Sequence, residues 1–348
     1  MLFSLVSAQQ GSSSNEKGLF SMNSIDYGGV NPHRALENVK KRCQERKEGK
    51  RSNLKTALVL QGGGMRGIFG AGVCCALEKL GYTTGFDEVY GVSAGALNGA
   101  YFLSGQASYG TTIYYQDINN RNFINFFRLK KMVDIDFLMN VIVKKKPLDI
   151  KKLMDSPTCF NIILTSTNTG KAVVFKSKEN ADCLLKILKA TAALPFLYDI
   201  PVSIRGLNYL DGGIACPIPI TEAIDEGCTD ILVVLTRPKN YSPSKSREII
   251  DRHFLESIIR RHGENFFRTY VNRDKIYREK LAIIKGEKIY KGKRVNILAI
   301  FPGSTFRIRR TTRKENILKN TAIEGAVKTL ELFGVKHFSP VEIPEFLD

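Results

Sequence analysis

Two short stretches carry residue types suited to acyl transfer. Gly91-Val92-Ser93-Ala94-Gly95 is a G-x-S-x-G sequence, the pattern that sets a serine hydroxyl on a sharp strand-to-helix corner. Gly91 and Gly95 leave room for the crowded turn, and Ala94 starts the helix. A serine hydroxyl needs a base. Asp211-Gly212-Gly213 follows the apolar Leu207-Asn208-Tyr209-Leu210, with two glycines permitting a tight approach. An aspartate titrates near 3.9 in water, and an apolar pocket would raise its basicity by disfavouring the charged form. Each stretch also has a plainer reading: a serine capping a helix, and an aspartate bonding its own backbone in a turn.

The histidines offer a weaker alternative. They are His33, His253, His262 and His337. His337 alone stands in a conventional Ser…Asp…His order. None sits on a glycine-rich loop at a strand end, so each reads as a surface or packing residue.

Gly62-Gly63-Gly64-Met65-Arg66-Gly67 satisfies G-x-G-x-x-G between a strand and a helix. A dinucleotide fingerprint wants an acidic residue about 20 positions on, at the carboxyl end of the next strand. Asp87 and Glu88 lie at that distance but precede the strand Val89–Val92, at the wrong edge of the sheet. A P-loop is excluded, because no Gly-Lys-Ser/Thr follows. The other reading is an oxyanion hole: successive glycines let backbone N–H groups converge, and a helix N-terminus adds partial positive charge. The loop alone does not decide; its pairing with the serine corner favours the oxyanion reading.

The elements that must position these groups are legible as patterns. Ala57-Leu58-Val59-Leu60 reads as a buried strand, and Ile68, Val73, Ala76, Leu77 and Leu80 recur at helical spacing behind the glycine loop. Further strands are expected at Glu88–Val92, Phe160–Thr165, Lys171–Phe175, Val202–Ile204, Leu207–Leu210, Asp230–Leu235 and Val295–Ile300. Helices are expected at Ala96–Ser104, Asp182–Ala192, Ile220–Glu226, Lys245–Arg294 and Thr312–Leu332. The aromatic, basic stretch Tyr114–Val143 reads as helical, a candidate lid or a core-packed insertion. Strands alternating with helices predict an α/β fold with a mostly parallel sheet and helices on both faces. The chain divides into a basic, partly disordered leader (1–53), a catalytic core (54–240), and a basic helical segment with a final strand and helix (241–348). Within the leader, Lys40–Lys47 is expected as a short solvated helix.

The chain has 348 residues and a formal charge of +18, which favours anionic partners. Lys144-Lys145-Lys146, Arg260-Arg261 and Arg307-Ile308-Arg309-Arg310 are candidate contact patches for an anionic membrane surface. No recognised nucleic-acid module is present, so no nucleic-acid partner is expected. A non-enzymatic basic protein binding nucleic acid or anionic membranes is the competing function. The seven cysteines are scattered without a C-x-x-C pair, which argues against a disulfide framework or zinc site and for a reducing, cytoplasmic compartment. Cys74, Cys159 and Cys228 lie in apolar runs and are expected as small buried hydrophobes. No apolar run reaches the roughly 18 residues of a membrane span, and Met1–Ala8 lacks the basic start of a secretory signal; membrane contact would be peripheral.

Taken in order, the glycine loop 62–67, Gly91–Gly95 and Asp211-Gly212-Gly213, with Ala190-Thr191-Ala192-Ala193-Leu194-Pro195 upstream of the aspartate, resemble the patatin-like phospholipases, nearest the bacterial type. The resemblance covers roughly Thr56–Leu235. It implies a three-layer α/β/α sandwich and a Ser–Asp dyad without histidine, cleaving lipid esters with no metal or other cofactor. By position it makes Ser93 the nucleophile and Asp211 the base, with amides around Gly63, Gly64 and Met65 as the oxyanion hole. Arg66 matches a basic position of the family's loop and is expected to order it. The leader and the basic stretch 245–294 have no clear counterpart in the family.

Overall fold

A computed structural model describes residues 27–128, 130–242, 256–304 and 308–335. His253, His337, Arg307 and the first 26 positions lie outside the described residues.

The strands are β1 (Tyr27–Gly28), β2 (Thr56–Leu60), β3 (Glu88–Val92), β4 (Cys159–Ser166), β5 (Ala172–Lys176), β6 (Val202–Ile204), β7 (Leu207–Asp211), β8 (Asp230–Val234) and β9 (Asn296–Ile300). They form one sheet in the order β1-β9-β8-β2-β3-β4-β7-β6, with β5 also paired to β4. The stretch β9-β8-β2-β3-β4 is parallel throughout. β1, β5, β6 and β7 join antiparallel. The expected parallel sheet is therefore its centre, and antiparallel pairing adds the remaining strands.

Helices accompany the sheet: α1 (Pro32–Lys47), α2 (Ile68–Lys79), α3 (Ala94–Leu103), α4 (Ala107–Thr112), α5 (Ile135–Asn140), α6 (Ile150–Asp155), α7 (Leu184–Ala192), α8 (Ile220–Asp225), α9 (Glu264–Ile284) and α10 (Glu315–Leu332), and residues 256–260 are helical as well. Side chains alternate across a strand, and β2 uses both directions. Leu58 and Leu60 enter one apolar core with residues of α1, α2, α3, α7 and α10. Ala57 and Val59 enter a second with residues of α8 and the C-terminal half of α9. Burial on both faces explains why β2 reads as an unbroken apolar run rather than an alternation. Helices on both faces make the three layers.

The helix expected over Lys40–Lys47 is not merely solvated. α1 begins at Pro32 and buries Ala35, Leu36, Val39 and Cys43, one stripe at helical spacing. Its charges occupy the remaining faces. Arg42 and Arg46 reach from it to Asp87, each with an N···O distance of 2.7 Å. Asp87 also accepts from the Thr56 N–H at the start of β2 (2.9 Å). It thus ties α1 to the amino-terminal edge of the sheet, away from the glycine loop, and cannot serve a dinucleotide there.

The stretch 114–143 is not one helix. α4 runs on as a π-helical turn, Ile113–Asp117, and the chain then leaves helical geometry until α5. Isolated bridges pair Ile124 with Val133 and Lys131 with Tyr198. Asp134 restarts the helix by accepting from the Phe137 N–H, so a capping residue inside the run divides it. Likewise α7 starts only at Leu184, after a 3-10 segment Ser177–Cys183. Among the described residues of the basic stretch, 256–260 are helical and α9 is the long helix. Cys74 and Cys228 are buried as expected, whereas Cys159 is half-buried. Among the described residues no helix is long and apolar enough to cross a membrane.

Candidate active site

The glycine loop and the serine corner leave adjacent parallel strands, β2 and β3, so both emerge at the carboxyl edge of the sheet. Ser93 carries φ 55 and ψ −131, a conformation that costs a residue with a Cβ about 1–3 kcal/mol. Two side chains of the core hold that corner. The Ser93 N–H donates to Thr191 Oγ1 (2.9 Å), and the Thr191 hydroxyl donates to the Ile163 carbonyl of β4 (2.7 Å). Gly95 lies against β2: a Cβ there would stand 2.3 Å from the Leu60 carbonyl oxygen. Gly62 lies against the serine itself, and a Cβ would stand 2.6 Å from Ser93 Cβ. Both glycines are demanded by close backbone approach.

Asp211 ends β7, which pairs with β4 at Leu164. The carboxylate is buried and accepts from the Gly213 N–H (2.7 Å). Burial pushes its pKa up to about 6, against the opposing pull of the Gly213 N–H, of hydrogen bonding from the Ser93 hydroxyl and of the Arg310 guanidinium. The sheet order β3-β4-β7, with β7 antiparallel, sets Asp211 opposite Leu164, one position beyond the Val92–Ile163 pair that precedes Ser93. An ionised, poorly solvated aspartate beside a serine hydroxyl can accept its proton.

The loop 62–67 is clamped from behind. Thr236 donates its hydroxyl to the Gly62 carbonyl (2.6 Å) and its N–H to Gln61 Oε1 (2.7 Å). Asn98 of α3 donates to the Gly67 carbonyl (2.8 Å) and accepts from the Tyr114 hydroxyl (2.9 Å). The chain enters a 3-10 turn, Gly64–Gly67, that runs directly into α2. The N–H groups of Gly63 and Gly64 meet no backbone acceptor among the described residues. Met65 differs from expectation: its N–H donates to the Arg310 carbonyl (3.0 Å) and is not free for an oxyanion. Its side chain is buried and lines the cavity. Arg66 does not hold the loop by a hydrogen bond from its Nε, which is buried without a partner.

A cavity opens at Ser93 with about 870 Å³ of space, counting the part open to solvent. Its wall is mostly apolar and includes Leu97, Phe123, Ile135, Leu138 and Leu194, and Arg310 also lines it. Neither described histidine lines it. His262 Nε2 is engaged by Asp199 at 2.6 Å, and His33 packs edge-on to Tyr27.

Thr191, Asn98 and Thr236 carry no role legible from sequence, and Arg310 reads there only as part of a basic patch. Thr191 lies inside a segment that resembles the family, but its hydrogen bond to a residue 98 positions away has no local signature. Thr191→Val removes the acceptor of the Ser93 N–H and the donor to Ile163. We expect a loss of about 1–3 kcal/mol in stability from the unpaired buried groups, together with a lowered kcat for ester hydrolysis. Thermal unfolding and steady-state kinetics on one preparation measure both.

An α/β/α sandwich with a serine on a strained strand-to-helix corner defines a class of acyl-transfer folds. Residues 58–224 match the family described as patatin-like phospholipase. It is 33% identical over 198 residues to the uncharacterized protein YjjU of Escherichia coli K12, covering 54% of each chain. It is 29% identical over 143 residues to human 1-acylglycerol-3-phosphate O-acyltransferase PNPLA3, covering 39% of this chain and 28% of that one. The chain spans about half the length of the first relative and less of the second. Among solved structures, VipD from Legionella pneumophila aligns at 13% identity and TM-score 0.41, over 81% of this chain and 67% of that one.

Proposed function

We propose that the chain is a lipid-ester hydrolase working through Ser93 and Asp211. In this reading Ser93 Oγ attacks the ester carbonyl while Asp211 takes its proton. The oxyanion sits on the Gly63 and Gly64 amides, where one donor is worth about 10²–10³ in rate. Asp211 then returns the proton to the leaving alcohol. Water attacks the acyl-serine by the reverse path and frees the acid. The observation that carries this reading is the strained Ser93 corner opening into an apolar cavity beside a buried carboxylate. A rapid-mix assay with p-nitrophenyl butyrate should show Ser93-dependent release of p-nitrophenol with an initial burst approaching one per enzyme if deacylation is slow. No turnover above background, or turnover indifferent to Ser93→Ala, would overturn it. The human relative is named an acyltransferase. An acyl-serine can also pass its acyl group to an alcohol, so products should be resolved by mass spectrometry.

Peripheral contact with an anionic lipid surface belongs to the same reading, through an aromatic surface beside the basic patches, several of whose charges are paired. Lys145 pairs with Asp117, Arg260 with Glu256 and Glu264, and Arg261 with Asp199. These charges are already answered within the chain. By contrast, Phe126 and Phe127 are 58% and 97% exposed, beside the exposed Arg121 and Lys130. The same segment sends Phe123 and Val133 into the cavity wall. Aromatic side chains flanked by cations, next to the cavity, suit an interface of acyl chains and anionic headgroups. Phe126→Ser with Phe127→Ser is expected to weaken sedimentation with phosphatidylglycerol vesicles by about tenfold or more, given about 1.5–3 kcal/mol for each fully buried side chain.

A further inference from the structure

Gly67 closes the glycine loop, and two buried polar side chains meet behind it. Tyr114 sits in the π-helical turn Ile113–Asp117, a kind of irregularity that recurs at working sites. Its hydroxyl reaches the back of the loop: a Cβ at Gly67 would stand 2.8 Å from it and 2.7 Å from the Ala94 Cβ. The last glycine of the loop is therefore required by what packs on it. Asn98 lies between the two. The Gly67 carbonyl can only accept, so the edge of Asn98 that faces it is the amide NH2, at 2.8 Å. The other edge, Oδ1, then takes the hydrogen of the Tyr114 hydroxyl at 2.9 Å. Both side chains are buried, and burial pushes the Tyr114 pKa up, so the phenol stays a donor. Asn98 belongs to α3, the helix that begins immediately after Ser93. One helix thus carries the nucleophile at its start and, little more than one turn later, a grip on the far end of the loop. The near end of that loop lies against the serine itself, where a Cβ at Gly62 would stand 2.6 Å from Ser93 Cβ.

We propose that Tyr114 and Asn98 form a positioning relay that holds the Gly63 and Gly64 amides in register with Ser93 Oγ, so that the oxyanion meets donors already in place. This inference rests on the hydrolase reading, which supplies the oxyanion. The two residues act through the loop and not on the ester. Donors fixed in advance need no reorganisation when charge develops. A loosened loop loses that advantage in the transition state and not in the bound ground state, so the loss falls on kcat rather than KM.

The test compares wild type, Tyr114→Phe, Asn98→Ala and the double variant on p-nitrophenyl butyrate, each shown to be folded at the assay temperature by thermal unfolding. Tyr114→Phe keeps the ring in the cavity wall and removes only the hydroxyl. It is expected to lower kcat by about tenfold with KM within about twofold, short of the 10²–10³ for an oxyanion donor lost outright. Asn98→Ala, which releases the loop directly, should lower kcat further. The double variant should be no slower than Asn98→Ala alone, because a relay broken at one link has nothing left to lose at the other. Losses in kcat that multiply in the double variant, or losses confined to KM, overturn the proposal. A second arm needs no ester turnover. Amide hydrogen exchange across residues 61–67, read by mass spectrometry, should quicken by about tenfold in Tyr114→Phe and in Asn98→Ala, while residues 88–92 exchange as in wild type. Exchange of the loop at the wild-type rate overturns the relay. If Asn98→Ala does not fold, Tyr114→Phe decides by the same two readings. A wild type inert toward esters, with loop exchange quickened in the variants, supports the relay while the hydrolase reading alone fails. Ser93-dependent turnover whose kcat both variants leave intact keeps the hydrolase and removes the relay.

Discussion

Ser93→Ala is expected to lower kcat for a soluble ester by about 10⁴-fold or more, the scale set by deleting a nucleophile that acts as one unit with its base. The residual rate should come from the loop amides and substrate binding alone. The loss should not reflect unfolding, because an alanine at this position keeps the corner and the Thr191 clamp, which bonds a backbone N–H. A further variant separates chemistry from backbone strain. With φ at 55, position 93 suits glycine better than any residue with a Cβ. Ser93→Gly should therefore be as inactive as Ser93→Ala yet more stable than it, by about 1–3 kcal/mol. Kinetics beside thermal unfolding of both variants checks this. Equal stability of the two would mean that the corner is not strained.

Asp211→Asn should abolish activity and stabilise the protein. The buried carboxyl is pushed from its ordinary 3.8 up to about 6. A carboxyl whose pKa rises on folding binds more protons in the folded than in the unfolded state between those values. Stability from this group is therefore greatest below about pH 4, falls as pH rises toward 6, and stays reduced above it. Two pKa units correspond to about 3 kcal/mol. Asparagine carries no charge to desolvate and can still accept from the Gly213 N–H. The variant should thus unfold a few degrees above wild type at pH 7.5, and the gap should close near pH 4. The same shift sets catalysis. As a general base Asp211 must be ionised, so kcat/KM should climb tenfold per pH unit below about 6 and level off above it. A wild-type profile without an inflection near 6, or an asparagine variant less stable at neutral pH, would count against a destabilised carboxylate as the base.

The strand-bearing parts of the fold were legible because burial on both faces leaves runs such as Ala57–Leu60, and because glycines mark turns where backbones must touch. G-x-S-x-G foretold a tight corner at Ser93 for that reason: spacing of small residues is a local property. Composition was misleading where local character and location part company. The charge-dense Lys40–Lys47 belongs to a helix whose buried stripe is only Ala35, Leu36, Val39 and Cys43. The aromatic run at 114–143 reads as one helix, but the Asp134 cap and the isolated bridges Ile124–Val133 and Lys131–Tyr198 break it.

Sequence alone determined the alternation of strands and helices, the two glycine-rich turns and their order along the chain, since each is encoded within a few neighbouring residues. Only the tertiary structure decided that Thr191 holds Ser93, that the Arg310 carbonyl takes the Met65 amide, and that Asp211 is buried. Those outcomes depend on which strands lie side by side and on how completely water is excluded between them. Both are set by the packing of the whole sheet and carry no mark in any one segment.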